Sequence, residues 1–540
     1  MRRVWFLACV TALLLGWFAA ASPAVMAQDA STPDDGDWLI AHLSAEPATL
    51  NPITATDAYA SNINNYIYES LLKRDERTAQ LVPQLAESWE VAEDHLTYTF
   101  HLKKGVHWQD GTPFTARDVL FSYERIQDPK VDAAHLRNYY RDIEKFEVLD
   151  EYTVRYRYRI PYYRALEVCG EMSLVPAHLF RETEDFNQHP IGRQPMGTGP
   201  YRFVKWDTGE QIVLERDERY WGEKPHLRRI VFKIVTDSTV ALEVLKQHGL
   251  DYMGLRPIQW AMQTRGKRFQ QDFQKLKYYL PSYSYIGWNL RRPLFQDRRV
   301  RQAMTMLVNR EPILKKLLFG LGTIISGPFY VNSPDYNQLI QPYPYDPKAA
   351  LALLHEAGWA DHDGDHILDK DGVPFDFEFI ISSGSKFAEQ LTTIFQENLK
   401  RVGIKMRIRK LEWAVFIQKI EAHEFDACTL GWSMGWDSDP FQIWHSSQTE
   451  GKGSNFVGFV NAEADRLIVE SRKEFDPEKR RKMYHRFHEI AHEEQPYTFL
   501  FTMEALVAVD RRFANVQVYP LGLVPREWWV PKQLQRYHQP

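Results

Sequence analysis

The sequence predicts an α/β protein of two lobes joined by a hinge, and three observations carry that prediction. Strand-like runs and amphipathic helical stretches alternate along the chain, with no repeat, low-complexity tract or long linker. About 510 residues remain once a leader is set aside, more than one hydrophobic core usually supports, so two or three domains are expected. Strand-like Tyr497–Phe501 and the aromatic tail to Trp529 return to the first unit, and a chain that leaves and comes back crosses between lobes twice, which is a hinge layout.

The elements follow in order. Arg2 and Arg3 begin a leader, Val4–Ala21 is almost wholly apolar, and Val25-Met26-Ala27 supplies small-type residues at the cleavage positions, so cleavage is expected after Ala27. Ser22-Pro23 ends the apolar run before it becomes a lasting anchor, and only eight residues precede Cys9, too few for a lipoprotein leader. Val4-Trp5-Phe6 fits twin-arginine export poorly, which favours the general secretory route. The first compact unit runs from about Trp38 to Lys275, with strands predicted at Leu39–Leu43, Thr97–Leu102, Thr153–Tyr158, Gln211–Glu215 and Arg229–Ile234. Asp110-Gly111 is a turn pair, and Thr115 is the N-cap of a helix opening at Ala116-Arg117-Asp118. The second unit begins with a strand at Tyr283–Leu290 and a helix at Arg298–Val308. In the helix Ala388–Arg401, Leu391, Phe395, Leu399 and the adjoining Val402 recur at helical spacing. Strands at Lys405–Lys410 and Asp426–Leu430 and a helix at Pro477–His492 complete it.

Loss of Arg2 and Arg3, the only charged residues of the leader, takes the formal charge from −5 to −7. Both signs are interspersed in the mature chain, so nucleic acid is not an expected partner. Of three cysteines only Cys169 and Cys428 survive cleavage, enough for one disulfide at most and no cysteine framework.

Seven landmarks then resemble one family in its own order. They are Glu46–Pro52, Ile67–Leu72, Ala86–Asp118, Met196–Tyr201, Tyr220-Trp221-Gly222, Phe295–Ala303, and Gly431-Trp432 ahead of Asp439-Pro440. Together they resemble the family 5 solute-binding proteins of ABC importers, the group of oligopeptide, dipeptide and nickel receptors. The resemblance implies a two-lobed periplasmic binding protein fold of type II, with an extra subdomain inserted in the first lobe. The boundaries it implies are 1–27 for the signal peptide, 28–59, 195–278 and 497–540 for the first lobe, 60–194 for the inserted subdomain and 279–496 for the second lobe. It also implies a periplasmic monomer that closes on a peptide and delivers it to an inner-membrane ABC permease, with no reaction and no required cofactor. A receptor of the same fold for a nickel chelate, an oligosaccharide or another nutrient is the alternative.

In dipeptide-binding relatives an aspartate after the Gly-Trp pair holds the ligand's amino group. Here that loop is longer, and Asp437, or else Asp439, takes the role; the bland reading has Asp437 capping a turn and Asp439 preceding Pro440 structurally. The arginine those relatives set against the ligand carboxylate has no counterpart in Ser382–Lys386, where Lys386 is a weak substitute, which favours longer peptides or a ligand without a terminal carboxylate. With 16 Trp, 27 Tyr and 30 Phe, most aromatic residues must be core and some line the cleft. Trp432, Trp436, Tyr285, Trp288, Tyr330 and Trp413, with Asn289, are the candidates for ligand contact.

Three constellations suggest other chemistry. His488-Glu489-Ile490-Ala491-His492 is formally the zinc-peptidase pattern, with Glu489 as base, but it sits on a charged helix whose histidines can be solvated and no second ligand-bearing helix follows. Gly431-Trp432-Ser433-Met434-Gly435 is formally a nucleophile elbow, yet the turn-rich Trp436–Pro440 follows where a hydrolase needs a helix. Asp361, Asp363, Asp365, Asp369 and Asp371 alternate as in a calcium loop and would form a structural site far from the cleft. His366 stands where glycine is expected and Gly372 where the bidentate glutamate belongs, and an acidic hairpin explains the run without metal.

Overall fold

A computed structural model describes residues 33–180, 185–450 and 453–537; the expected leader lies outside them. The first lobe is built on an eight-stranded sheet in the order Phe273–Tyr279, Phe501–Asp510, Tyr252–Gly254, Trp38–Leu43, Arg229–Ile234, Gln211–Arg216 and Tyr201–Asp207, with Gly322–Ile324 also paired to the start of Phe501–Asp510. Trp38–Leu43 runs parallel to Arg229–Ile234, and its alternating burial places Leu39, Ala41 and Leu43 in the core. A buried ion network ties the chain's end to its beginning: Arg512 pairs with Asp37 and, at 2.8 Å, with Asp251.

The inserted subdomain carries an antiparallel sheet in the order Ala86–Val91, Thr97–Leu102, Thr153–Tyr158, Ile143–Asp150. Its helix Ala116–Gln127 starts on a capping box, in which the Thr115 N–H donates to the Asp118 carboxylate at 2.9 Å while the Thr115 hydroxyl accepts from the Arg117 N–H at 3.3 Å. The family landmarks meet physically at Glu69. Its buried carboxylate accepts from Tyr220 Oη at 2.7 Å, Trp221 Nε1 at 2.9 Å, Thr198 Oγ1 at 3.0 Å and Gln84 Nε2 at 3.1 Å. Gly197 belongs to the same junction because a Cβ there would lie 1.8 Å from the Ile67 carbonyl oxygen.

The second lobe centres on a five-stranded sheet in the order Lys405–Leu411, Asp376–Ser382, Ala427–Ser433, Ser282–Trp288, Tyr497–Phe499. Both faces are covered. Trp288, Phe295, Phe377 and Phe395 pack on one side, and Tyr283, Tyr285, Trp444 and Tyr497 on the other. The chain passes between the lobe sheets at residues 280–281 and at Leu500, whose N–H donates to the Ser284 carbonyl at 3.0 Å, and between these Gly322–Ile324 reaches across to pair with Phe501–Met503.

Tyr497–Phe499 is corrected by this topology. Read from sequence as the return into the first lobe, it is the edge strand of the second sheet, paired with Tyr285–Gly287, and only Phe501–Asp510 enters the first. A continuous apolar run of strand type carries no mark of which sheet it joins. Cys169 and Cys428 are both free and buried, Cys169 beside Tyr158 Oη in the subdomain and Cys428 in the second sheet, and burial pushes each thiol up to about 12. No helix of the described residues is long and apolar enough to cross a membrane.

Candidate functional site

A cavity of about 810 Å³ opens where the inserted subdomain meets the second lobe. The second lobe supplies its aromatic wall. Pairing of Ser433 with Ser282, and the Met434 N–H donated to the Pro281 carbonyl at 2.8 Å, carry the chain off the sheet edge with Trp432 on the cavity side. Trp432 stacks on Phe456 at 5.8 Å and on Tyr285 at 6.4 Å, and Tyr285 in turn stacks on Tyr497 at 3.8 Å. Met434, Phe441 and Tyr330 extend the surface. The facing wall is the subdomain helix Ala134–Tyr140 and its end, which present His135, Arg137, Asn138 and Arg141.

The loop after Trp432 is clasped by the subdomain. Asp437 lies 2.7 Å from Arg74 Nη2, and Asp439 accepts from Tyr162 Oη at 2.8 Å and lies 3.2 Å from Arg472 Nε. Between them the Ser438 carbonyl accepts from Tyr163 Oη and, at 2.7 Å, from Tyr484 Oη, while the Tyr163 N–H donates to the Arg472 carbonyl at 2.9 Å. His95 stacks on Phe475 at 3.8 Å beside the same junction. Behind Arg74 stand Glu167 at 3.6 Å and Glu171 at 4.0 Å, and Arg164 makes two 2.8 Å bonds to Glu167. Burial, and then repulsion from Glu167, push the Glu171 carboxyl up to about 7.

Of the residues read from sequence as ligand contacts, Trp432, Tyr330, Asp437 and Asp439 line the cavity, and Trp436 packs on Tyr330 at 6.1 Å. The others are corrected. Tyr285 is buried beneath Trp432 as its support. Trp288 is fully buried on the opposite face of the sheet, its Nε1 donating to Thr498 Oγ1 at 3.1 Å, because residues three apart on a strand point opposite ways. Asn289 is buried and donates to the carbonyls of His423 and Phe425 at 3.0 and 2.8 Å, fastening a strand end. Trp413 is 55% exposed at the start of the helix Trp413–Glu421, and Lys386 is exposed at the start of Lys386–Lys400; neither lines the cavity.

The other constellations resolve as well. His488 is fully buried rather than solvated: Nδ1 accepts from the Asn337 N–H at 3.2 Å and Nε2 faces Ser326 Oγ at 3.1 Å, so both nitrogens are in use. His492 stacks on Tyr343, and Glu489 turns outward to Arg486 at 3.0 Å, so the three residues hold no common zinc position. Ser433 ends its strand and no helix follows at once. In the acidic loop Asp361, Asp363 and Asp365 converge within 4.8 Å, but Asp369 accepts from the His362 N–H at 2.9 Å and faces its Nδ1 at 3.0 Å, and Asp371 sits in the left-handed region at φ 52°. The five-carboxylate set is therefore reduced to three.

Arg74, Arg137, Arg141, Tyr162 and Tyr163 were missed, and all lie in the inserted subdomain. The roles implied by resemblance sit on the Gly-Trp loop, which belongs to the second lobe alone. The signals available were the paired tyrosines after Pro161 and the i, i+4 arginines following the Asp128-Pro129 turn.

Comparison with known proteins agrees with this architecture. Residues 80–454 match the bacterial extracellular solute-binding proteins, family 5 (middle region). The chain is 31% identical to the oligopeptide-binding protein AppA of Bacillus subtilis over 94% of each chain. Two solved structures are similar: that AppA in complex with a nonapeptide (TM-score 0.79, 29% identity, 93% of this chain and all of that one), and NikZ of Campylobacter jejuni in complex with Ni(L-His) (TM-score 0.78, 27% identity, 91% and 99%).

Proposed function

The chain belongs to family 5 of the bacterial extracellular solute-binding proteins, and from that premise we propose that it is the receptor of an ABC importer, capturing a peptide between its closing lobes and handing it to the membrane permease. The fold it shares with that family is the type II periplasmic binding protein fold. The observation that carries the reading is the cavity itself. Its aromatic wall belongs to one lobe and its polar wall to the other, so a bound ligand joins the two and shifts the hinge toward closure. Aromatic walls accept varied side chains while polar groups fix an extended backbone, which suits length selectivity with broad sequence tolerance. The protein acts as a periplasmic monomer, cleaved after Ala27, and performs no reaction.

A receptor must also release its cargo, so a dissociation constant of about a micromolar, roughly −8 kcal/mol, is expected. The similarity to NikZ with its nickel–histidine ligand supports a second reading, a receptor for a small metal chelate. Native mass spectrometry of the mature protein as purified, with the bound species ejected and fragmented, separates the two. A ladder of short peptides is the expected result, and a single defined non-peptide mass would overturn it.

A further inference from the structure

We propose that this receptor grips its peptide by the carboxylate end and that Arg137 is the residue that reads it, an inference that rests on the peptide-receptor reading above. The charged groups around the cavity divide into those already matched within the protein and those that are not. Asp437 is matched by Arg74 at 2.7 Å, Asp439 by Arg472 at 3.2 Å and Tyr162 at 2.8 Å, and Arg164 by Glu167 at 2.8 Å. Neither loop aspartate is therefore free to receive a ligand ammonium while the clasp is formed.

Arg137 differs from these. Its Nε donates to the Ile126 carbonyl at 2.9 Å and its Nη2 to the carbonyls of Asp128 at 2.6 Å and Val131 at 2.9 Å. Among the described residues no carboxylate forms an ion pair with it, and its Nη1 makes no hydrogen bond to the protein. Three carbonyls orient the guanidinium without cancelling its charge. A carboxylate docking there meets a donor plane already fixed, so little ordering entropy is lost on binding.

Arg141 stands one turn further along the same wall with its guanidinium over Phe441, 5.3 Å from the ring centre, and 3.7 Å from Asp142, and His135 adds a further polar group. The acid left over on the cavity lining is Glu421, which is exposed at the end of its helix. An ammonium paired there stays in water and changes affinity by about 5-fold at most. The wall facing Arg137 is apolar, with Trp432, Met434, Phe441 and Phe456 placed to take side chains upstream of the terminal carboxylate.

The test is calorimetric titration of the mature protein with a pool of short random peptides prepared in four end states: free, N-acetylated, C-amidated, and blocked at both ends. Acetylation is expected to leave affinity within about 5-fold, and amidation to weaken it by about 10-fold or more, the loss typical of one charge-assisted pair. In Arg137→Gln the free acid and the amide should bind alike. Because Arg137 also fastens three carbonyls, the quantity read is the acid-to-amide ratio within each variant, which loss of packing alone does not move. Arg141→Gln, at an exposed position, should lower that ratio only in part. Equal binding of acid and amide by the unaltered protein, or loss of binding on acetylation instead, would overturn the assignment. Failure of every end state to bind would overturn the peptide reading and this proposal with it.

Discussion

A histidine whose two ring nitrogens are both engaged and which has no exposed surface has no lone pair to offer a metal. In His488 the Asn337 N–H is the donor to Nδ1, so Nε2 carries the proton and donates to Ser326 Oγ, a neutral tautomer fixed by its neighbours. Burial, with His492 and His485 adding positive charge nearby, pushes its pKa down to about 3. The unfolded chain therefore takes up a proton near pH 6.5 that the folded protein refuses. This group's contribution is level above about 6.5, and stability falls as pH drops from there toward about 3, by up to ~1.4 kcal/mol per pH unit. His488→Gln should flatten that slope in urea midpoints measured across the window; an unchanged slope would show that His488 titrates normally. His488→Ala should cost about 1–3 kcal/mol by leaving the Asn337 N–H unpaired, while the Ser326 hydroxyl keeps its 2.8 Å bond to Tyr336 Oη. Gly197→Ala is a harsher change, because the contact is with the Ile67 carbonyl, backbone that no side-chain rotation relieves. A loss of about 3 kcal/mol or more is expected, read as soluble yield and urea midpoint.

The loop Gly435–Pro440 gains its shape from partners far away in sequence, and that governs what a substitution in it does. Arg74 and Asp437 are partly exposed, at 13% and 39%, so their pair contributes about 1 kcal/mol and Asp437→Asn should shift the open-to-closed ratio about 5-fold. Small-angle scattering of the ligand-free variant should show a larger radius of gyration; an unchanged radius would mean that the clasp does not hold the lobes. Glu171 makes the same cluster sensitive to pH. Arg74 and Arg164 favour its ionised form, whereas burial, Glu167 and Asp437 oppose it, and the balance lies at about 7. The folded protein thus holds a proton that the unfolded chain releases near 4.5, so stability from this group declines as pH rises from about 4.5 to about 7 and is level beyond. Glu171→Gln should abolish that decline, a trend opposite in sign to that of His488 and separable from it by the two variants. Regular elements were legible without these contacts. Thr97–Leu102, Thr153–Tyr158 and Arg229–Ile234 stand where alternation and β-branched content place them, and the Thr115 cap is local chemistry. Strand alternation also forbids Tyr285 and Trp288 from sharing a face, so that correction was within reach of the sequence. The subdomain partners of the two loop aspartates, Arg74 for Asp437 and Tyr162 for Asp439, were not, because they lie 363 and 277 residues away along the chain.

The two lobes keep separate cores on either side of a neck of neighbouring crossings, in which the segment 280–281 and Leu500 are joined by the bond from the Leu500 N–H to the Ser284 carbonyl and by Ser284 Oγ donating to the Phe501 carbonyl at 3.1 Å, and Gly322–Ile324 pairs with Phe501–Met503 beside them. Crossings bonded to each other leave the lobes a shared pivot rather than two independent tethers, so opening moves the subdomain wall away from the Trp432 wall as one motion. A ligand that touches both walls stabilises the closed arrangement alone, and mass action then fixes the size of the effect. At a free concentration one hundred times the dissociation constant the gain is about 2.7 kcal/mol. A peptide recovered from the purified protein should, when added back at that excess, raise the urea midpoint accordingly and reduce the radius of gyration together. In Asp437→Asn, whose ligand-free form is more open, part of the binding energy goes into closure, so the same peptide should bind about 5-fold more weakly while producing a larger change in radius. Equal affinity and an equal change in radius in the two proteins would show that the lobes are already closed without the Asp437 clasp and that the peptide does not drive the hinge.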